Sequence, residues 1–394
     1  MGRTREFLHD LTRQSDLVLL ALCTASTLYG MVLIASATHF RGTFKYVAVQ
    51  GLGLLIGFVL YFAFSSLDIF ELAKKWKWIL GFNVGFILLL LTPLGLTRNG
   101  NRAWLGVNGI GEKLGVAFLK NFPVTVQPAE VVKVFFIILL AYQLALLREN
   151  RDLRRFENVV QPTAHMLFMV GVIVVISGDA GSALVYLFIF ICMVFAAGMA
   201  ARWLVLGVGG GAAAFLAVWE LNLIPGYMKD RFLVVLDHSY DVQGKGFQQT
   251  RSMLTLGSGQ LTGQGLFHGA QTQSSQIWSL PERQTDFIFA VCGEELGFIG
   301  CVLIIVLLLA IIVRCLLVAR DAATPMESYV CVGMASMLIF QTIANIGMCL
   351  FVMPVIGLTL PFFSYGGSSI VTLFAAMGVV SGVKKRSRPE WLMN

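Results

Sequence analysis

Apolar runs of about twenty residues recur from one end of the chain to the other, separated by short polar stretches. A helix rises about 1.5 Å per residue, so each run matches the ~30 Å hydrocarbon core of a bilayer. Ten candidates stand at roughly 17–37, 44–64, 78–96, 128–147, 163–178, 181–200, 203–223, 286–313, 327–350 and 361–383. Only SGDAG parts the fifth from the sixth, and fusing them would invert every later span. No polar block between the runs is large enough to fold alone. The pattern predicts an all-α, polytopic membrane protein: a single domain, residues 1–394, with ten transmembrane helices.

Two polar intervals are long, 97–127 and 224–285. Loops of such length in a compact protein are functional or disordered, and both mix glycines, aromatics and hydrogen-bonding side chains, which favours structure. They are expected as outer loops, the larger one between helices seven and eight. Charge sets the orientation. The short loops on one side hold Arg3, Arg5, Arg13, Lys74, Lys75, Lys77, Arg148, Arg151, Arg154, Arg155, Arg202, Arg314, Arg320, Lys384, Lys385, Arg386 and Arg388, 17 cations against 11 on the other side. Nine of those 11 lie in the two long loops, where charge has little topological weight, so both termini are expected in the cytoplasm. The first run ends in IASA, and Ala35-Ser36-Ala37 fits a small-x-small cleavage pattern. The run is longer than a signal-peptide core and lacks a basic cluster directly before it, so it is read as the first span.

Composition narrows the class further. A chain that is 57% hydrophobic and 13% charged, with mean hydropathy +0.78, is not a water-soluble globule. The net charge of +7 is scattered at the ends of apolar runs instead of forming a basic face, which argues against nucleic acid as a partner. Seven cysteines show neither metal-ligand nor disulfide-framework spacing and read as packing or lipid-facing residues.

Ionisable groups inside a membrane need a partner or a water-filled cavity. In QPAEVVK, Glu130 and Lys133 stand three residues apart on one helix face, either as a salt bridge that makes the helix insertable or as a cation held toward an anionic ligand. Asp179, in SGDAG, is placed to cap the next helix or to serve a site. Glu294 and Glu295 are expected deep in the eighth span, about 100° apart around the helix, as members of buried polar networks. Asp286 is expected at the water-facing start of that span, about 12 Å along the axis from Glu294 and rotated about 80°. A first-turn acid ordinarily caps a helix, but Thr285 offers a capping oxygen one position earlier and leaves the carboxylate free. Near the end, PVIGLTLPFFSYGGSS (354–369) puts small residues where a backbone or a ligand approaches closely, or where helices pack.

These segments resemble a known family. NRAWL (101–105), QPAEVVK (127–133), GDAGSAL (178–184), GFQQTRSMLTLGSG (246–259), GQGL (263–266), LPERQTDFIFAVCGEELGFIG (280–300) and LTLPFFSYGGSS (358–369) occur in the order found in the SEDS (shape, elongation, division and sporulation) proteins. The resemblance implies ten helices in the bacterial inner membrane and polymerisation of lipid II into glycan strands beside a class B penicillin-binding protein, with other elongation or division proteins as further partners. It implies Asp286 of TDFIF as the catalytic base. It carries over Glu130, Lys133 and Asp179 from its motifs, which are expected together with Arg102, Gln249 and Ser364 as substrate-binding residues, and it implies a divalent cation, Mg or Mn, held by Asp286 and Glu130. Two positions depart from the family: Gly178 replaces the usual Pro, and Gln284 a frequent His. GAQTQ and LPERQTDFIFAV look more like the elongation branch, RodA, and LTLPFFSYGGSS like the division branch, FtsW, with the balance toward RodA. Two other classes fit the same charges: a flippase for the lipid-linked precursor, and a scaffold docking a partner through the small-residue face GVGGGAAAF (207–215).

Overall fold

The computed structural model describes residues 15–98, 100–108, 125–150, 155–222, 226–244, 246–276 and 279–387. Arg3, Arg5, Arg13, Arg151, Arg154 and Arg388 of the orientation argument lie outside them, as does most of the first outer loop. The chain forms α1 (Leu17–His39), α2 (Lys45–Ser65), α3 (Ile69–Lys74) and α4 (Trp76–Leu88, continued as a 3-10 turn to Leu91). A hairpin of β1 (Gly95–Arg98) and β2 (Asn101–Leu105) follows. Then come α5 (Pro128–Asn150), α6 (Phe156–Ser177), α7 (Ala180–Ala196), α8 (Ala201–Glu220), α9 (Gly226–Leu236) and α10 (Phe247–Ser258). The chain closes with α11 (Ile288–Arg320), α12 (Pro325–Cys349) and α13 (Gly367–Arg386).

Eight of these helices are long and apolar enough to cross a membrane, and two shorter apolar ones, Trp76–Leu91 and Ala180–Ala196, bring the candidates to the ten expected. The fifth and sixth spans are separate. Gly178 ends α6 in the left-handed region at φ 68°, and Asp179 caps α7 by accepting from the Ser182 N–H at 2.9 Å. Proline, whose ring fixes φ near −65°, cannot take that conformation, so glycine here makes a turn of its own kind. The chain across IASA is continuous helix, with Ser36 and Ala37 buried in it.

The eighth span differs from expectation. A straight helix from Ile288 to Arg320, 33 residues, would be about 50 Å long and overshoot a bilayer. It breaks at Gly297 (φ 67°, ψ −164°). The stretch 298–320 is by itself long enough to cross, so the span lies further along the chain than 286–313. Glu294 and Glu295 then belong to a separate buried helical segment, 288–296, instead of the depth of a span. Hydropathy averaged over a span-length window could not reveal this, since long apolar stretches on both sides of the glycine outweigh Glu294 and Glu295.

Breaking a helix leaves backbone groups that low-dielectric surroundings will not solvate. The segment after α10 supplies their partners. Gln264 and Gly265 N–H donate to the carbonyls of Glu294 and Glu295 at 2.8 and 3.0 Å, and the N–H groups of Phe298 and Ile299 donate to Gln260 and Leu261 at 2.9 and 3.2 Å. Two backbones can approach this closely only without side chains. A Cβ on Gly259 would collide with the Gly293 carbonyl, one on Gly263 (φ 82°) with that of Glu295, and one on Gly297 with the Gly263 nitrogen. Gly259 and Gly263 of GSGQLTGQG are therefore a consequence of the break.

Elsewhere α12 packs against α5, α7, α11 and α13, while α13 lies along α2 with Gly378 and Gly382 against the backbone of Tyr61 and Ser65. At one end of the bundle the fully buried Asp16 binds Arg314 (2.8 Å) and Lys384 (2.9 Å), tying α1, α11 and α13. Helix α8 stands apart, with no buried residue and open space around Gly207, Gly209, Gly210 and Gly211. All seven cysteines are free thiols, and all but Cys192 are buried.

Gly263→Ala and Gly297→Ala each add a clash and a strained φ, costing about 2–5 kcal/mol, whereas Gly210→Ala, in open space within a helix, should not destabilise. Thermal unfolding of the detergent-solubilised protein should show a lowered midpoint for the first two only. Equal midpoints for all three would contradict the pairing at the break.

Candidate active site

Residues 281–287 lead into the buried segment 288–296. The N-cap position of α11 is Phe287, with no side-chain cap, so neither Thr285 nor Asp286 caps the helix. Thr285 Oγ1 instead donates back to the carbonyl (3.2 Å) and Oε2 (3.1 Å) of Glu282. Among the described residues, no group hydrogen-bonds or ion-pairs with the Asp286 carboxylate.

The backbone beneath this free side chain is clamped. Asn345, fully buried in α12, donates through Nδ2 to the carbonyls of Asp286 (2.9 Å) and Leu358 (2.7 Å). Ser364 Oγ donates to Thr285 (2.6 Å) while accepting from the Leu360 N–H (2.9 Å), and the Tyr365 N–H reaches the Gln284 carbonyl at 2.9 Å. From the other side Arg283 binds the carbonyls of Gln271, Thr272 and Ser274 and stacks over Phe40 at 4.1 Å. Burial lowers its guanidinium to about 10. Glu294 accepts from the N–H groups of Gln271 and Thr272, both at 2.8 Å, and Glu295 from Ser36 (2.7 Å) and Gln273 (2.9 Å). Both glutamates thus sit in buried polar networks, as expected, and brace the segment that carries the aspartate.

Asp286 itself is half-buried. Gly357 (φ 71°) lies against it, with the Cβ position 4.0 Å from Oδ2. Desolvation pushes its carboxyl up to about 7; the charge of Glu282 adds to the rise and that of Arg231 opposes it. Arg231, in α9, donates from Nη1 to the Val355 carbonyl at 2.9 Å. Arg231, Gln249 and Val355 line a cavity of about 320 Å³. Gln249 holds the loop after α12 by donating to the carbonyls of Met348 (3.3 Å) and Met353 (2.7 Å).

The other residues singled out in the sequence have partners of their own. Asp179 is buried in its capping role, accepting also from Gln127 (2.9 Å) and Ser182 Oγ (2.6 Å), and Gly181 beside it abuts the Ile356 carbonyl. Lys133 is 0% exposed and bonds Glu130 at 2.8 Å, with Gln341 reaching the same oxygen at 3.5 Å. Arg102, on β2, donates to the Thr92 carbonyl at 3.0 Å and secures the hairpin. Ser364 acts through the backbone of the Asp286 segment. Gln284, where a His is frequent, is buried with Oε1 unpartnered. Two contributors were not read from the sequence. Asn345 had a visible signal, one of two amides, with Gln341, in an apolar span; Arg231 was one cation among several in a long loop.

Among the described residues no three His, Cys, Asp or Glu stand together as a metal cluster. Glu130 is engaged by Lys133, so an ion bound there would have to displace that pair. Asp286 offers one free carboxylate, which suits an ion whose remaining ligands are water and substrate phosphate.

Residues 15–389 match the cell cycle protein family of FtsW, RodA and SpoVE. Among relatives, the probable peptidoglycan glycosyltransferase FtsW of a Geobacter species is 32% identical over 381 residues, covering 95% of this chain and 97% of its own. Stage V sporulation protein E of Bacillus subtilis is 32% identical over 382 residues, covering 95% and 98%. Among solved structures, a chain of a peptidoglycan synthase complex that coordinates polymerization and crosslinking matches with TM-score 0.75 at 30% identity, over 95% of this chain and 99% of that one. The rod shape determining protein RodA of Thermus thermophilus matches with TM-score 0.67 at 26% identity, over 95% and 98%. With a family match spanning nearly its whole length, this multi-pass membrane protein belongs to the FtsW, RodA and SpoVE family.

Proposed function

We propose that the protein is a peptidoglycan glycosyltransferase that polymerises lipid II into glycan strands with release of undecaprenyl pyrophosphate. The observation that carries the reading is the Asp286 carboxylate, free of partners among the described residues and raised toward neutrality on a clamped backbone, with Arg231 of the cavity acting on it. Forming a β-1,4 bond from an α-linked pyrophosphate inverts the anomeric carbon, which asks for one base and no covalent enzyme intermediate. Asp286 takes the proton of the acceptor's 4-hydroxyl as that oxygen bonds the donor's anomeric carbon. The bond to the pyrophosphate breaks, and the leaving group carries away the electron pair. A base whose pKa lies close to the working pH combines a useful fraction of ionised form with a useful affinity for the proton.

Arg231 supplies positive charge beside the reacting centre. Lys133, oriented by Glu130, does so only where its pair opens to substrate, and Arg102 contributes from the hairpin. A divalent cation, Mg or Mn, would neutralise charge on the departing pyrophosphate, with Asp286 as a protein ligand; none of the steps above is routed through it.

The proposed setting is the bacterial inner membrane, with both termini in the cytoplasm and Asp286 on the outer side. The proposed partner is a crosslinking transpeptidase of the class B penicillin-binding type. GAQTQ and LPERQTDFIFAV support an elongation role over a division role.

Asp286→Asn should fold and insert normally, since no partner is lost, yet slow lipid II polymerisation by about 10²- to 10⁴-fold. A gel assay of glycan chains made by purified protein measures this; polymerisation at near the wild-type rate would refute the assignment. The same variant in liposomes tests the flippase reading, because headgroup transport would survive loss of the base.

The activity should also depend on pH with a definite sign. The base works ionised, so kcat/KM should be flat above about pH 7 and fall about tenfold per unit below it, an acid limb near the raised value for Asp286. A limb near pH 4, the ordinary carboxylate range, would mean that burial does not tune this group.

A further inference from the structure

One cation faces Asp286 without an acid in ion-pair contact among the described residues. Arg231 is half-exposed, and among the described residues its guanidinium makes one hydrogen bond, from Nη1 to the Val355 carbonyl at 2.9 Å, which fixes it while leaving most of its five N–H groups without a partner there. It lines the cavity of about 320 Å³ together with Phe247, Gln248, Gln249, Pro281 and Val355. The cavity is linked to Asp286 through Arg231, whose charge acts on that carboxylate. Pro281 lies on the segment that leads to the aspartate, and Val355 is two residues from Gly357, which abuts the carboxylate.

The lining is divided chemically. Phe247, Pro281 and Val355 give it apolar wall, while Gln248 brings a side-chain amide that makes no hydrogen bond among the described residues. A wall of this kind with a few polar groups suits a sugar ring, which has apolar faces and a polar rim. The volume is at the small end for ligand sites and fits about one ring. The free fork of an anchored arginine matches phosphate oxygens two at a time.

We propose that this cavity seats the pyrophosphate-linked sugar of the donor lipid, with Arg231 binding the pyrophosphate and Gln248 the sugar. This rests on the reading of lipid II as substrate and adds where its reacting end sits. The arrangement makes Arg231 the group that accompanies the pyrophosphate as its bond to the anomeric carbon breaks.

The test is binding of two lipids to the full-length solubilised protein carrying Asp286→Asn, so that turnover does not intrude. Lipid II carries the sugars; undecaprenyl pyrophosphate lacks them. Adding Arg231→Ala should weaken both lipids by about 10- to 100-fold, the scale of hydrogen bonds to a charged group. Arg231→Lys, which keeps the charge and loses the fork, should fall between. Adding Gln248→Ala should weaken lipid II about 2- to 10-fold and leave undecaprenyl pyrophosphate unchanged. Undiminished binding of both lipids by monodisperse Arg231→Ala protein overturns the proposal, as does equal weakening of both lipids by Gln248→Ala. Should the Asp286→Asn parent bind neither lipid, the substrate reading falls along with the cavity assignment.

Discussion

A helix interrupted in apolar surroundings must find partners for its exposed peptide groups, and the arrangement at Gly297 shows how far that requirement reaches. The carbonyls of Glu294 and Glu295 and the N–H groups of Phe298 and Ile299 are met by the glycine-rich turn at 259–265. That turn can come close enough only where neither chain bears a Cβ. Once it is in place, the following residues are drawn onto the two glutamates, and Arg283 collects the carbonyls of Gln271, Thr272 and Ser274 into one rigid unit. Asp286 is carried on the far end of that unit.

The same logic separates the acids by role. Asp16, Glu130, Asp179, Glu294 and Glu295 are all buried and all hydrogen-bonded, each joining pieces of chain distant in sequence or capping a helix. Asp286 differs in having its backbone secured and its carboxylate left alone. A rigid mount with an unsatisfied, partly desolvated acid is what proton abstraction needs, because the group is neither neutralised by a neighbour nor free to swing away. The stabilising interactions lie in the mount, where Asn345, Ser364 and Arg283 work on main-chain atoms.

Much of the architecture was legible from hydropathy. The ten apolar segments, the separation of α6 from α7 at SGDAG and the two long polar intervals all follow from pattern. The displaced eighth span was not, because a glycine within an apolar run carries no hydropathy signal of a break. Site residues divide along a similar line. The pairing of Glu130 with Lys133 follows from their spacing and the capping by Asp179 from its turn. Asp286 was singled out because Thr285 stood ready to cap in its place; the structure leaves the carboxylate free for a different reason, since Thr285 turns back to Glu282 and the helix begins without a side-chain cap. Arg231 and Asn345 are neighbours of Asp286 only through tertiary folding: α9 and α12 are brought to it by the loop that Gln249 and Ser364 hold. No spacing along the chain encodes that proximity.

The central claim is that the unpartnered carboxylate meets the acceptor sugar. An experimental structure of Asp286→Asn protein trapped with lipid II tests it most directly, since the variant keeps the shape of the side chain and cannot take the proton. A sugar hydroxyl should lie within hydrogen-bond distance of the residue 286 amide, about 2.6–3.2 Å. A headgroup seated elsewhere, with that side chain facing only solvent or protein, would contradict it.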